Sequence, residues 1–552
     1  MGTRIVVVGG VAAGATAAAR ARRVDEHADI TIVERGPYLS YANCGLPYFI
    51  SGDLNDRAKL LLQTPEGFDR RYRIKALMQT EVVAIDRAAR RVQVRRAGVD
   101  SWLDYDKLIL AQGGSPIMPA LPGADARHVF KLWTVPDMDR LHSFIAKEKP
   151  KTAVVVGGGF IGLEMVEAFR ARGLGVTVVE LQPTVMSVMD HEFGVQVEGE
   201  LRRNGVEVMT RVGVVAVREK EVELSDGRRV PADLVLFSVG VKPELTLAKS
   251  AGLALGASGG LLVDSHLRTS APHIWAAGDM VEVTQKVSGR AVRIPLAGPA
   301  NRQGRIAASN ALGEHQVYSG ALGSSVVKVF DATAAMTGLS EQFARTLGFN
   351  VGVAVIHKDH HASAFPGGKE LSLKLVFDRH TRRLLGAQAF GHAGVDKRID
   401  VLATALQGKL TIDDLAELDL AYSPPYSSAN DPINLAAFIA QNDLSGFSPL
   451  VTAGQLKAEL ETQTPPLVLD VRTAKERALG FIDGSLHVPV DEVRASLERI
   501  PRDRRLVVHC RSGFRAHLAV RTLIENGYLD VRNLTGGWVS LELEGGLPIR
   551  RP

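Results

Sequence analysis

The sequence predicts an α/β protein built from several domains. Two observations carry that prediction. An apolar strand, a glycine turn, a helix and a second strand ending in Glu recur in the same order roughly 150 positions apart, and a further alternation of strand and helix signals closes the chain. At about 150 residues per domain, 552 residues allow three or four domains, each able to bury its own core. The 66 basic and 61 acidic residues leave a net charge of +5, and no nucleic-acid partner is expected. No apolar run approaches the roughly 18 to 20 residues of a membrane span, and the opening residues read as a first strand rather than a signal peptide. Both readings favour the cytoplasm, where Cys44 and Cys510 stay reduced. Two cysteines cannot build a multi-disulfide scaffold or a four-thiolate metal site.

In chain order, residues 3–8 (TRIVVV) form the first buried strand, residues 12–23 an alanine-rich helix, and residues 30–33 a strand ending at Glu34. The turn Gly9-Gly10-Val11-Ala12-Ala13-Gly14 keeps the first and third glycines of G-x-G-x-x-G, and Glu34 follows Gly14 by 20 residues. The second unit has a strand at 152–156, a helix to about residue 172 and a strand at 176–179 ending at Glu180. Its turn, Gly157-Gly158-Gly159-Phe160-Ile161-Gly162, matches fully. Such glycines let the backbone approach a pyrophosphate at a helix amino terminus, while the acidic residue accepts hydrogen bonds from a ribose. Glu180 would repel a 2′-phosphate, which predicts NADH over NADPH. After Ala321 the pattern changes: residues 371–377 (LSLKLVF) read as a strand and residues 398–406 as a helix of a mixed α+β domain. Residues 442–449 (NDLSGFSP) read as a linker. Strands at 467–471 and 505–509, then a helix through Asn526, form a small α/β domain.

Each cysteine lies in a distinctive setting. Cys44 sits in Ser40-Tyr41-Ala42-Asn43-Cys44-Gly45-Leu46-Pro47-Tyr48, at the expected start of a helix, whose amino end favours a thiolate. Cys510 sits in Val507-Val508-His509-Cys510-Arg511-Ser512-Gly513-Phe514-Arg515, between a strand and a helix. A loop of that shape can turn its N–H groups around the sulfur, with Arg511 and Arg515 adding positive charge. For either residue the plain alternative is a buried structural cysteine. The run His357-Lys358-Asp359-His360-His361 reads as a loop with a structural or surface role, and no metal is expected there.

Two further motifs, Ala111-Gln112-Gly113-Gly114-Ser115-Pro116 and Ile274-Trp275-Ala276-Ala277-Gly278-Asp279, together with the two turns, resemble the pyridine nucleotide–disulfide oxidoreductase family over residues 1 to about 440. The resemblance implies FAD held by Gly9, Gly10, Ala13, Gly14, Glu34, Arg35 and Asp279, and NADH held by Gly157, Gly159, Gly162 and Glu180. It implies two Rossmann-like dinucleotide-binding domains: an FAD domain at 1–115 and 246–320, and an NAD(P)H domain at 116–245. An α+β dimerisation domain at 321–441 then makes a homodimer.

Dithiol members of that family carry a second cysteine a few positions on, and this chain has none before Cys510. The segments ATAAARARRVD (15–25) and SYANCGLPY (40–48) resemble the coenzyme A disulfide reductase branch. That likeness implies a coenzyme A site at Thr16, Arg20, Arg23, Ser40, Asn43 and Asn301, with Arg71 a further phosphate contact. Arg20 and Arg23 lie i, i+3 on one helix face and are expected to reach one phosphate. Where the branch commonly shows a Tyr-Tyr-Pro-Gly run, this chain has Ala364-Phe365-Pro366-Gly367, which leaves Tyr426 as the candidate proton donor. Over residues 450–552, the Cys510 loop, the Asp470-Val471-Arg472 turn and Thr535-Gly536-Gly537-Trp538 resemble the rhodanese family.

Together these resemblances imply an FAD-dependent NADH:persulfide, polysulfide or coenzyme A disulfide reductase with a fused sulfurtransferase domain. Cys44 would be the redox thiol and Cys510 the sulfur carrier. Two alternatives stay open. One is an NADH oxidase, against which the first turn, Val11-Ala12-Ala13, offers no histidine. The other is a rhodanese sulfur-relay protein with a regulatory flavin half.

Overall fold

A computed structural model describes residues 2–551; Met1 and Pro552, the outermost residues of the expected first and last domains, lie outside the described residues. The chain divides into two compact units, Met1–Pro183 with Gly205–Gly323, and Thr184–Asn204 with Ser324–Pro552.

The first unit holds two parallel five-stranded sheets. In one, Arg4–Val8 pairs with Asp29–Val33 on one side and Lys107–Leu110 on the other, with Ile74–Leu77 and Ile274–Ala276 at the edges. In the other, Thr152–Val156 lies between Gly175–Val179 and Leu234–Phe237. Four of the five residues of each central strand are buried, as expected for apolar runs covered on both faces. Both glycine turns leave the carboxyl end of a central strand and start a helix, Ala12–Val24 and Phe160–Ala171. Among the described residues no helix is long and apolar enough to cross a membrane.

The second unit contains an antiparallel sheet in the order Ser325–Val329, Ala332–Gly338, Leu384–Gly391, Glu370–Asp378, Val351–Asp359. His357, Lys358 and Asp359, expected in a loop, extend its edge strand, because pairing with Glu370–Asp378 continues to Asp359 opposite Glu370. Within this unit the Lys374 ammonium is buried against Asp190 (3.0 Å), Glu192 (2.6 Å) and Glu341 (2.7 Å). The expected linker is shorter than its composition suggested. The helix Pro432–Leu444, capped by Asp431, runs into it, and Asp443 accepts the Leu450 N–H at 2.9 Å.

The carboxy-terminal part of this unit is a parallel sheet in the order Leu450–Val451, Val531–Leu534, Leu506–His509, Leu467–Asp470, Leu486–His487. The central strand Leu506–His509 ends at Cys510, and the helix Phe514–Glu525 begins four residues later. That order places the cysteine loop at the carboxyl ends of parallel strands, where α/β folds place ligands.

Candidate active site

Both nucleotide turns are held by their own glutamate. Glu34 accepts N–H groups from Gly10 (2.8 Å) and Gly36 (2.6 Å), and Glu180 accepts them from Gly158 (2.7 Å) and Gln182 (2.7 Å). The third glycine of each turn is required by close approach: a Cβ would lie 1.8 Å from the Gly9 carbonyl oxygen at Gly14, and 2.1 Å from that of Gly157 at Gly162. At Gly159 a Cβ would meet nothing within 4 Å, so the turn is open above the helix amino terminus, as a pyrophosphate needs.

A cavity of about 460 Å³ opens over the first turn, lined by Gly9, Gly10, Ala13, Glu34, Arg35 and Asp279 among others. Arg35 pairs with Glu244 at 3.7 Å, also on the cavity wall. Two polar groups of this wall await a partner: Gln112 Oε1 is buried without one, and burial alone pushes the Asp279 carboxyl up to about 6. A cofactor bearing hydroxyls along a chain would satisfy both, so these residues fit FAD.

Cys44 lies in a single 3₁₀ turn, Asn43–Gly45, followed by the six-residue helix Leu46–Ser51. Its N–H donates to Asn43 Oδ1 at 3.1 Å, its thiol lies 3.8 Å from the same oxygen, and its neighbours Tyr41 and Asn43 line the cavity. The helix start expected to lower the thiol pKa is opposed by the surroundings, although Cys44 itself is exposed. Burial pushes the thiol up, and the Glu164 and Asp279 carboxylates add to it. Glu164, on the helix Phe160–Ala171, receives a hydrogen bond from the Tyr48 hydroxyl at 3.5 Å, and burial pushes its carboxyl up to about 7.

The residues expected to hold coenzyme A divide into three groups. Thr16 donates its hydroxyl to Asn301 Oδ1 at 2.6 Å, joining two of them. Ser40 takes a left-handed backbone, φ 46°, and its N–H donates to the Gly10 carbonyl at 2.8 Å, so the Cys44 segment is anchored to the first glycine turn. Arg20 and Arg23 are not equivalent: the Arg20 guanidinium bonds Ser309 (2.8 Å) and Glu314 (3.1 Å), while Arg23 and Arg71 are exposed. A phosphate arriving at Arg20 must compete with Glu314. Tyr426 belongs to the second unit and is exposed.

Cys510 is 1% exposed, and the Gly513 N–H donates to its sulfur at 3.1 Å. Arg515 makes a two-pronged pair with Glu476, at 2.7 and 2.6 Å, and Arg511 pairs with Glu370 at 2.6 Å. Beneath the loop lies Asp470, bonded by Arg472 (2.8 and 3.0 Å) and Arg477 (3.1 Å). Burial pushes the Asp470 carboxyl up, but the Arg472 hydrogen bond and the neighbouring charges outweigh it and hold the group at about 2. The His509 ring is fully buried and stacks on Trp538 with centroids 5.8 Å apart, and burial keeps it neutral, down at about 4. His357 is likewise buried and pushed down to about 3. Its Nδ1 meets Ser372 Oγ at 2.8 Å and its Nε2 meets Ser540 Oγ at 3.0 Å, so it ties side chains together rather than waiting for a metal.

Glu164, Tyr48, Glu370 and Glu476 were not singled out by sequence. Glu164 lies two residues after Gly162, so its place on the helix beside the turn is readable, but its contact with Tyr48 is not. Glu476 and Glu370 announce nothing locally, because their partners are 39 and 141 residues away.

Comparison with known proteins agrees with this geometry. Residues 3–304 match the pyridine nucleotide-disulphide oxidoreductase model, residues 324–431 that family's dimerisation domain, and residues 452–544 the rhodanese-like domain. The coenzyme A disulfide reductase of Staphylococcus haemolyticus is 35% identical over 442 residues, which cover 80% of this chain and 99% of the relative. The reduced CoADR-RHD of Bacillus anthracis is 42% identical with a TM-score of 0.96, covering 98% of each chain. An NAD-dependent persulfide reductase from A. fulgidus is 37% identical with a TM-score of 0.91, covering 97% of this chain and 99% of the other. With its two glycine turns, its lone flavin-side cysteine and a match over more than half its length, this chain belongs to the pyridine nucleotide-disulphide oxidoreductase family and carries a rhodanese-like domain at its carboxy terminus.

Proposed function

We propose that the protein is an NADH-dependent flavoprotein that reduces coenzyme A persulfide, polysulfide or coenzyme A disulfide at Cys44 and carries sulfane sulfur on Cys510. The observation that carries this reading is the separation of the only two thiols: Cys44 beside a dinucleotide cavity, and Cys510 in a strand-to-helix cradle. Bound FAD supplies the two-electron relay between a reduced nicotinamide and a thiol or disulfide, held by Gly9, Gly10, Ala13, Gly14, Glu34, Arg35 and Asp279. Glu180 accepts the nicotinamide nucleotide's ribose and disfavours a 2′-phosphate.

The Cys44 thiolate attacks the inner sulfur of coenzyme A persulfide. A Cys44–sulfur bond forms, the persulfide S–S bond breaks and hydrosulfide leaves, so Cys44 stays in mixed disulfide with coenzyme A. Two-electron reduction of that disulfide frees coenzyme A and restores the thiolate. Over the cycle, NADH, one proton and the persulfide give NAD⁺, coenzyme A and hydrogen sulfide. Protonated Glu164 spares the thiolate a facing negative charge, and Asn43 orients the sulfur. Thr16, Asn301, Ser40, Arg20, Arg23 and Arg71 receive coenzyme A. Tyr426 donates a proton to the departing thiolate, from the partner subunit of a homodimer. A reducing cytoplasm suits both thiols.

The test is steady-state NADH oxidation with coenzyme A persulfide and coenzyme A disulfide, for the wild type and Cys44→Ser. Loss of turnover in Cys44→Ser is expected. Equal rates in the two proteins overturn the role of Cys44.

A further inference from the structure

The Cys510 cradle is not built by its own domain alone. Its two cations are each matched by a glutamate. Arg515 takes Glu476 from the same small domain, whereas Arg511 takes Glu370, the first residue of the strand Glu370–Asp378 in the antiparallel sheet. This second pairing is fixed in place by buried contacts. Thr535 Oγ1 accepts the Val355 N–H at 2.9 Å and donates to the Val355 carbonyl at 3.2 Å, filling the edge of the strand Val351–Asp359. His357, on the same strand, bonds Ser540 at its other nitrogen's reach, and Thr535, His357 and Ser540 are all buried.

The same turn closes over the cysteine. The Trp538 N–H donates to the Cys510 carbonyl at 2.8 Å and the Val539 N–H to the Arg511 carbonyl at 3.2 Å. A Cβ on Gly537 would lie 2.6 Å from the Cys510 oxygen, so the loop and the turn are in van der Waals contact along the backbone. The segment that shapes the cradle is therefore the one seated on the sheet edge, and Glu370 reaches the loop at Arg511.

We propose that Glu370 is a specificity-determining residue for sulfur transfer at Cys510: by pairing with Arg511 it withholds one positive charge from anionic sulfur donors. The proposal rests on the sulfur-carrying reading of Cys510. In the transfer from thiosulfate, the Cys510 thiolate attacks the sulfane sulfur, the S–S bond breaks and sulfite leaves. Cyanide then takes the outer sulfur as thiocyanate and returns the thiolate. Every donor of this class arrives as an anion, so the charge on Arg511, next in the chain to the cysteine, acts on its binding rather than on bond breaking. The positively charged Arg511 is 53% exposed and Glu370 39%, so each remains within reach of solvent and of a donor.

The experiment uses the full chain in a Cys44→Ser background, which leaves Cys510 as the only thiol. Its alkylation is timed with iodoacetate, an anion, and with iodoacetamide, which is neutral. Glu370→Gln is expected to raise the iodoacetate-to-iodoacetamide rate ratio about two- to fivefold, the size of one partly exposed charge, and Arg511→Gln added to it to abolish the gain. In thiosulfate:cyanide transfer the same substitution lowers KM by a similar factor with kcat nearly unchanged. Thr535→Val, which loosens the seat, raises the ratio as well, and Thr535→Ser, which keeps the hydroxyl, restores it. A ratio unmoved by Glu370→Gln overturns the role of Glu370. No sulfur transfer from thiosulfate, with the ratio still shifted, overturns the sulfur-carrying reading and leaves the charge effect standing.

Discussion

Tyr48 and Glu164, 116 residues apart, share a hydrogen bond of 3.5 Å, and the carboxyl that Tyr48 meets is the one that most disfavours the Cys44 thiolate after burial itself. Burial pushes Glu164 up to about 7, so near neutral pH it exchanges a proton within electrostatic reach of the redox thiol. Below about 7 the carboxyl is neutral; as pH rises through that value it ionises and makes the thiolate harder to form. Glu164→Gln removes the penalty. In a Cys510→Ser background, iodoacetamide is expected to modify Cys44 about two- to fivefold faster at pH 8 in Glu164→Gln. The inflection near pH 7 in the wild-type rate profile disappears. An unchanged profile would show that Glu164 does not act on Cys44.

Gly537 has a left-handed backbone, φ 58°, and no room for a methyl group against the Cys510 carbonyl. Gly537→Ala must shift the loop as well as strain the backbone, a cost of about 1 to 3 kcal/mol. Thiosulfate:cyanide transfer is expected to fall by about tenfold or more, while NADH-dependent reduction of coenzyme A disulfide stays within about twofold. Parallel losses of both activities would mean that the fold, not the loop, had failed.

Lys374 is 3% exposed among three carboxylates, so it balances charge that the sheet cannot otherwise bury. Lys374→Met is expected to cost about 3 to 5 kcal/mol in chemical denaturation. The pH dependence also changes sign. In the wild type, Asp190 and Glu341 are held below the usual carboxylate range despite burial, chiefly by Lys374, and that stability is lost as pH falls through their folded values. In the variant Asp190 and Glu341 lose that cation, repel each other and take up protons, so stability rises as pH drops from 7 to 5. A variant that weakens on acidification in that range contradicts this account.

Asp470 is fully buried and held at about 2, against an ordinary value of 3.8. A depressed carboxyl contributes stability that is complete above the unfolded value and lost as pH falls through the folded one. Asp470→Asn is expected to flatten the acid limb of unfolding between pH 4 and 2 and to remove about 2 kcal/mol at pH 7. Fluorescence of Trp538, packed against His509 and Arg472, reports the transition in a chain whose other three tryptophans are replaced by Phe.

The parts of the fold legible in the sequence are those in which a local rule has one solution. A buried parallel strand feeding a glycine turn, with Glu34 or Glu180 at the end of the next strand, leaves few alternatives, because the backbone N–H groups of the turn need those oxygens. The strand-to-helix setting of Cys510 is legible for the same reason. What was not legible depends on contacts across long separations. A basic residue does not reveal whether it faces a ligand or, like Arg20 and Arg511, a glutamate. His357 reads as part of a polar run, yet two serine hydroxyls make its burial tolerable and the strand carries it. The Cys44 setting misled because a helix start suggests a lowered pKa, whereas burial pushes the thiol up and the carboxylates that add to it come from a helix more than a hundred residues on and from Asp279.

The seat of Thr535 on Val355 has one more consequence. An outer strand with open N–H and C=O groups is a template for another chain, and Val351–Asp359 is nine residues long with seven buried. The rhodanese-like domain supplies the hydroxyl that occupies this margin at Val355. A chain cut after residue 449 would keep its nucleotide turns and Cys44 but bare that margin, and its characteristic fault would be stickiness: oligomers zipped along the uncovered strand, growing with concentration. The carboxy-terminal domain thus covers, at Val355, an edge that the rest of the molecule would otherwise present to another chain, whatever sulfur it carries.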